Sequence, residues 1–257
     1  VPTDVPRWAA PLLAVQFLTR LPVPVLARLT AEQAAAGLAR AMAWLPPVGT
    51  LIGAVTAGVF VVAGWFWPPL VAATLALIVE ALLTGAFHED AVADFCDAFG
   101  GTASGERALT IMKDSRIGSY GALGLALSVA LRITAMVALP APVAAAAIVG
   151  AATAGRLCAV TLAAIVAPVG SGAGMAVRAG RMPPGRLALA MVLALPGLAP
   201  ILWLRPGAIG AAIGAILVLL LWLRRFLIAR IGGSTGDCLG FAAAMGQVAL
   251  LLAIAAR

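Results

Sequence analysis

This sequence is short of charge. Asp, Glu, Lys and Arg make up 11% of its 257 residues, with ten acidic residues and one histidine in all. A soluble globular domain carries about 25% charged residues, and a hydrophobic content of 63% with a mean hydropathy of +1.09 also lies outside that class. A soluble enzyme is thereby excluded and a polytopic membrane protein implied. The single histidine leaves no paired-histidine zinc motif and no second imidazole to activate a cysteine. Cys96, Cys158 and Cys238 are too few and too scattered for a disulfide framework or a thiolate metal site, and read as structural. No cleavable signal peptide is expected, because the early run Ala9 to Leu18 lacks a small-residue cleavage pattern. No internal repeat of the kind common in transporters is evident.

What is abundant is apolar length, rich in Ala and Gly so that helices can approach closely. A helix needs about 20 largely apolar residues to cross a hydrocarbon core of about 30 Å, and candidate spans fall at 46–67, 69–87, 118–139, 143–168, 187–204, 207–227 and 239–256. The expected fold is an all-α bundle of about seven transmembrane helices in one domain over 1–257. Its first 45 residues, carrying Arg7, Arg20, Arg28 and Arg40 between prolines, are expected to form interfacial or re-entrant helices. Seven spans put 1–45, 88–117, 169–186 and 228–238 on one side, with nearly all the extramembrane basic residues; Arg205 and Arg257 fall opposite. The positive-inside rule makes the basic side cytoplasmic in a bacterial inner membrane. The net charge of +7 is therefore a topology signal first and an attraction for phosphorylated substrates second. Nucleic acid is not expected as a partner.

Against that background the acids are conspicuously placed: Glu89, Asp90, Asp94 and Asp97 fall with His88 inside ten consecutive residues. Asp90, Asp94 and Asp97, spaced i, i+4, i+7, line one face of a helix, while Glu89 points elsewhere. A solvated helix end is the plain alternative. A divalent cation is the simplest compensation for such crowding, and Mg²⁺ takes oxygen ligands shared with substrate phosphates. Gly100-Gly101 follow, able to offer backbone N–H groups to an anion, and then Lys113-Asp114-Ser115-Arg116. Cations beside metal-binding carboxylates suit a diphosphate. A second polar loop, 231–240, holds Gly233, Ser234, Thr235 and Asp237; Ser234 or Thr235 can cap the last helix. Within the spans, Glu80, Arg132 and Arg156 are expected to face the bundle interior, Glu80 paired with one arginine and Arg156 either paired or lining a substrate cavity. Trp44, Trp65, Trp67, Trp203 and Trp222 read as interfacial anchors.

The run Phe87-His88-Glu89-Asp90, Ala93-Asp94, Asp97, Gly100-Gly101, followed by Ile111 to Gly118 and Tyr120-Gly121, resembles the cobalamin synthase family, the adenosylcobinamide-GDP ribazoletransferases. Phe17 to Pro24 and Gly232-Gly233, Thr235-Gly236-Asp237, Leu239-Gly240 carry the resemblance to both ends of the chain. It implies an inner-membrane enzyme with its active site facing the cytoplasm, joining α-ribazole or its 5′-phosphate to adenosylcobinamide-GDP with Mg²⁺ and releasing GMP. Self-association and contacts with other enzymes of vitamin B12 assembly are the further partners it suggests. The roles implied are metal binding for Asp90, Asp94, Asp97 and Asp237, and charge neutralisation for Lys113 and Arg116. Gly100, Gly101, Ser115, Gly233 and Thr235 are expected to bind phosphate. His88 or Glu89 would accept the proton of the attacking hydroxyl, His88 being preferred by its ordinary pKa. Two departures stand out: Phe241 to Gln247 lacks acids, and Pro168 to Met175 lacks the expected Tyr and Arg. The competing readings are a CDP-alcohol phosphatidyltransferase, whose Asp-Gly and Ala-Arg pairs are missing beside Asp94, and a small ion-coupled transporter.

Overall fold

The computed structural model describes residues 5–169 and 180–256, so Arg178, Arg257 and most of the 168–175 departure lie outside the described residues. Apart from short 3-10 turns, the described residues form α1 (Ala9–Leu18), α2 (Ala31–Ala41), α3 (Leu45–Ala63), α4 (Pro69–Thr84), α5 (Phe87–Phe99), α6 (Gly105–Met112), α7 (Ser119–Val137), α8 (Ala141–Ile165), α9 (Pro184–Leu204), α10 (Ile209–Ile231) and α11 (Gly236–Ala255). Six stretches are long and apolar enough to cross a bilayer: 31–63, α7, α8, α9, 206–231 and α11. Helices α4 and α5 pass the same test together, as a pair bent by 90°. Read as one broken span, they complete the seven crossings that the charge distribution requires.

In the N-terminal segment α1 has ten residues, about 15 Å at 1.5 Å per residue, too short to cross. It buries Ala9, Leu13, Ala14 and Leu18 in a cluster with Met42, Val48 and Ile52. A capping box starts α2: Thr30 Oγ1 accepts from the Gln33 N–H at 3.2 Å, and Gln33 Oε1 accepts from the Thr30 N–H at 3.1 Å. Through the turn at Met42–Trp44, α2 then continues into α3.

Small residues bring the long helices together, as expected where no water drives association. On α3, Gly49 and Gly53 lie so close to Ala152 and Val149 of α8 that no Cβ fits. The same holds for Gly155 of α8 against Ala243 of α11, and for Gly246 of α11 against Cys158 of α8. Helix α8 is the central post, buried along most of its length from Ala144 to Ala163. At one end of the bundle Arg230 donates to the Gly101 carbonyl at 2.9 Å and the Ser234 N–H to the Ala167 carbonyl at 2.9 Å. Those contacts gather the 100–118 loop and the 167–169 and 232–235 links. At the opposite end Arg205 donates to the Ile254 carbonyl at 3.1 Å, and Trp65 and Trp203 are exposed there, as an aromatic belt requires.

Candidate active site

Two consecutive left-handed residues separate α4 from α5: Gly85 at φ 72° and Ala86 at φ 56°. Glycine takes that conformation freely, whereas an alanine pays about 1–2 kcal/mol, so neighbours must hold the elbow. Arg20, from the N-terminal motif, donates its backbone N–H to the Leu83 carbonyl at 2.8 Å and lays its guanidinium where a Cβ on Gly85 would stand. Phe17 meets Phe87 edge-on at 5.2 Å between ring centroids. Arg132 of α7 reaches both sides of the bend, with Nη2 2.7 Å from Glu80 Oε2 and Nη1 3.1 Å from Glu89 Oε1. The Thr56 hydroxyl also donates to Glu80, at 3.2 Å. Glu80 and Arg132 are thus the ion pair the sequence led us to expect. Arg156 is 1% exposed, and its Nε and Nη2 have no hydrogen-bond partner among the described residues.

Helices α5 and α11 cross where Ala91 fills the space left by Gly240 and Phe95 stacks on Phe241, ring centroids 3.7 Å apart. That crossing brings Asp237, one turn before Gly240, toward Asp90, the neighbour of Ala91. Asp94 lies within the field of Asp90, Asp237 and Asp97, and Asp237 within that of Asp90. None of Asp90, Asp94 and Asp237 has a cationic partner among the described residues. Asp97 has a different environment: its two oxygens accept the backbone N–H groups of Gly118 and Gly121, each at 2.7 Å. It closes the start of α7 from another helix, and both glycines lie too near its carboxylate to carry a side chain. His88 is buried, edge-on to Phe87 at 5.4 Å, within electrostatic reach of Arg156 and Arg132.

The remaining expected site residues divide between frame and surface. Gly100 donates to the Cys96 carbonyl at 2.7 Å and fits under the Tyr120 ring. Gly101 is exposed, its carbonyl held by Arg230, whose guanidinium lies over the Phe99 and Phe226 rings at 5.9 and 5.4 Å. Lys113 and Ser115 are exposed. Arg116, its side chain 87% exposed, is gripped by Asp114 at 2.7 Å; hydrogen bonds from that arginine hold the Asp114 carboxyl down to about 2. Gly233 is buried against Ala167 and Val169 with no space for a Cβ. Thr235 caps α11, accepting the Cys238 N–H at 3.3 Å and donating to Met112 Sδ at 3.0 Å. The run Gly232 to Gly236 has the letters Gly-x-Ser-x-Gly, but Ser234 is 2% exposed and lies between two helices, which is not the strand-to-helix setting of a nucleophile elbow. Sequence reasoning gave no site role to Arg230, counted only among the basic residues, or to Tyr120, named only within the motif; the available signal for Tyr120 was that it is the chain's one tyrosine, in the run Gly118-Ser119-Tyr120-Gly121.

Among the described residues no three His, Cys, Asp or Glu side chains stand close enough to hold a metal ion by themselves. The donor set nevertheless suits a hard cation, since hard divalent ions choose carboxylate oxygen and these carboxylates repel one another unpaired. Mg²⁺ commonly uses one or two carboxylates, with waters and substrate phosphate completing its shell, so a three-ligand cage is not a requirement. Lys113 and Arg116 form no ion pair with the α5 aspartates.

Residues 10–255 match the family model described as cobalamin-5-phosphate synthase. An adenosylcobinamide-GDP ribazoletransferase from Bradyrhizobium diazoefficiens is 40% identical over 249 residues, covering 95% of this chain and 92% of its own length. One from Rhizobium etli is 38% identical over 254 residues, 94% of each chain. One from Shewanella amazonensis is 50% identical over 121 residues, 47% of this chain and 45% of that protein. No solved structure matches.

Proposed function

This chain belongs to the cobalamin-5-phosphate synthase family, and from that premise we propose how its residues divide the work. The protein is a membrane-embedded ribazoletransferase of vitamin B12 nucleotide-loop assembly, multi-pass in the bacterial inner membrane. On our reading its substrates are adenosylcobinamide-GDP and α-ribazole or its 5′-phosphate. The attacking oxygen bonds to the phosphorus that bears the cobinamide. The P–O–P bond then breaks, and GMP leaves with the electron pair. Such transfer needs in-line positioning and charge neutralisation more than covalent catalysis.

Asp90, Asp94 and Asp237 are the residues we assign to Mg²⁺, one or two ions. When bound, Mg²⁺ neutralises diphosphate oxygens and stabilises the leaving group. Asp97 holds the Gly118–Gly121 turn and reaches a metal only through its remaining lone pairs. Lys113 and Arg116, exposed on the loop after α6, are the residues we assign to clamp phosphate oxygens, with Ser115 and the Gly101 N–H as further donors. Gly100, Gly233 and Thr235 serve the frame. Of the two residues weighed as proton acceptor, Glu89 is committed to Arg132, which leaves His88 for that role, although burial and the nearby Arg156 and Arg132 take away the ordinary pKa that favoured it.

The observation that carries this reading is the meeting of unpaired carboxylates from α5 and α11 at the Ala91–Gly240 crossing. Purified protein in detergent, given adenosylcobinamide-GDP, α-ribazole and Mg²⁺, is expected to release GMP. Asp90→Asn should lower that rate by about 100-fold or more, the loss typical of a group that stabilises transition-state charge, while the protein elutes as a folded species. Near-wild-type turnover of Asp90→Asn at saturating Mg²⁺ would remove Asp90 from the site. Activity with CDP-diacylglycerol and none with the corrinoid would reverse the substrate reading.

A further inference from the structure

Helix α7 holds α5 at both ends. At the last turn of α5 the N–H groups of Gly118 and Gly121 close on Asp97, each at 2.7 Å. At the first turn Arg132, fourteen residues further along α7, grips Glu89 at 3.1 Å. Asp90 and Asp94 lie between these two fastenings. The same guanidinium is 2.7 Å from Glu80 on α4, before the 90° bend, so one side chain ties together the two arms of the elbow and the helix behind them. We propose that Arg132 is a positioning residue of the transferase: by holding Glu80 and Glu89 at once, it fixes the α4–α5 elbow and so sets where Asp90 and Asp94 stand opposite Asp237.

Three physical arguments support this assignment. The elbow caps α4, with the Ala86 N–H reaching back to the Ala81 carbonyl at 2.8 Å, but it contains a left-handed alanine, a conformation that persists only when its surroundings over-determine it. A buried ion pair is weak as a source of stability compared with apolar residues of the same volume, but a planar guanidinium fixes the direction of two carboxylates at the same time, which a lysine cannot do. Arg132 is 7% exposed and Glu80 3% exposed, so water does not compete for the contact. Glu89 becomes an anchor for the helix that carries the aspartates.

The inference rests on the role given above to the α5 aspartates, and its test separates the two. Arg132→Lys keeps the buried charge but replaces the two nitrogens that reach Glu80 and Glu89 by one, on a shorter and unforked side chain. Spin labels at Val71 on α4 and Thr102 just beyond α5, in a Cys96→Ser background without Mg²⁺ or substrate, report the elbow directly. The wild type should give one narrow distance distribution and Arg132→Lys a broader or shifted one. In the same variant kcat for GMP release should fall about 10- to 100-fold, the range for a partner that orients ligands without touching substrate, with KM for the corrinoid changed less than threefold. Glu89→Gln, which still accepts a hydrogen bond from Arg132, should lower kcat by a smaller factor and leave the shape of the pH–rate profile unchanged. If Arg132→Lys does not fold, Glu80→Gln carries the same distance and rate measurements. A wild-type distance distribution together with wild-type kcat in these variants overturns the proposal, as does loss of the acid limb of the profile in Glu89→Gln, which would make Glu89 the proton acceptor. A broadened elbow with lowered kcat, alongside a fully active Asp90→Asn, sustains the positioning role and sinks the metal assignment.

Discussion

Asp97 commits both carboxylate oxygens to backbone N–H groups at 2.7 Å, whereas Asp90, two turns earlier on the same helix, is exposed and unpaired. Sequence spacing placed them on one face and gave them one role; their surroundings give them two. The signs of their stability effects should therefore differ. Asp97→Ala leaves two N–H groups at the start of α7 without an acceptor and is expected to cost about 1–3 kcal/mol, read as a lower thermal midpoint in detergent. Asp90→Asn relieves like-charge repulsion and should leave the midpoint unchanged or raised when Mg²⁺ is absent. Equal loss in both would mean that Asp90 is also part of the frame. The partner of Asp97 was not legible, because an i, i+4, i+7 pattern fixes a face and says nothing of what lies opposite. Glycines 118 and 121 leave room for a close approach, but a glycine does not say which group approaches. Asp114 was legible as a local partner: Arg116 holds it at about 2. A depressed carboxyl keeps its pairing above its unfolded value and loses it only as the pH falls through about 2, so this contact persists across the working range and yields to salt, not to pH.

At the scale of elements, the expected span 69–87 ends three residues early, at Thr84, because Gly85 and Ala86 turn the chain and α5 begins a new direction. Hydropathy runs through this point without a break. The physical clue was Gly85 itself, at the end of an apolar run where a left-handed residue terminates a helix. Gly85→Ala would add a Cβ both in an unfavourable conformation and against the Arg20 guanidinium. About 1–2 kcal/mol is expected from conformation alone, with more from displacing Arg20. Thermal unfolding should therefore show a lowered midpoint, and the Val71–Thr102 distance should change in the same direction as in Arg132→Lys. The N-terminal motif gains a structural reason here: Arg20 and Phe17 buttress the elbow.

For the whole molecule, the seven expected spans each have a helical counterpart, since apolar length and flanking prolines are local properties. What the sequence left open was how the 88–117 and 231–240 segments meet, because that depends on small-residue contacts between helices far apart in the chain, such as Ala91 with Gly240. The fold answers by putting the acidic helix, the basic loop and the start of α11 at one end of the bundle. Arginines complete the arrangement by donating to the last carbonyls of helices: Arg181 to Ala164 at 2.8 Å and Arg186 to Ala39 at 3.1 Å at that end, and Arg205 to Ile254 at 3.1 Å at the other. Because the basic residues concentrate at the end of the bundle that holds the α5 and α11 aspartates, the positive-inside rule makes that end cytoplasmic. Single cysteines test the assignment in a background with Cys96, Cys158 and Cys238 replaced. A label at Ser115 should react with a membrane-impermeant maleimide in inside-out vesicles and not in intact spheroplasts, and one at Gly207 should show the reverse. Labelling of Ser115→Cys from outside would invert the topology and separate the aspartates from any cytoplasmic substrate.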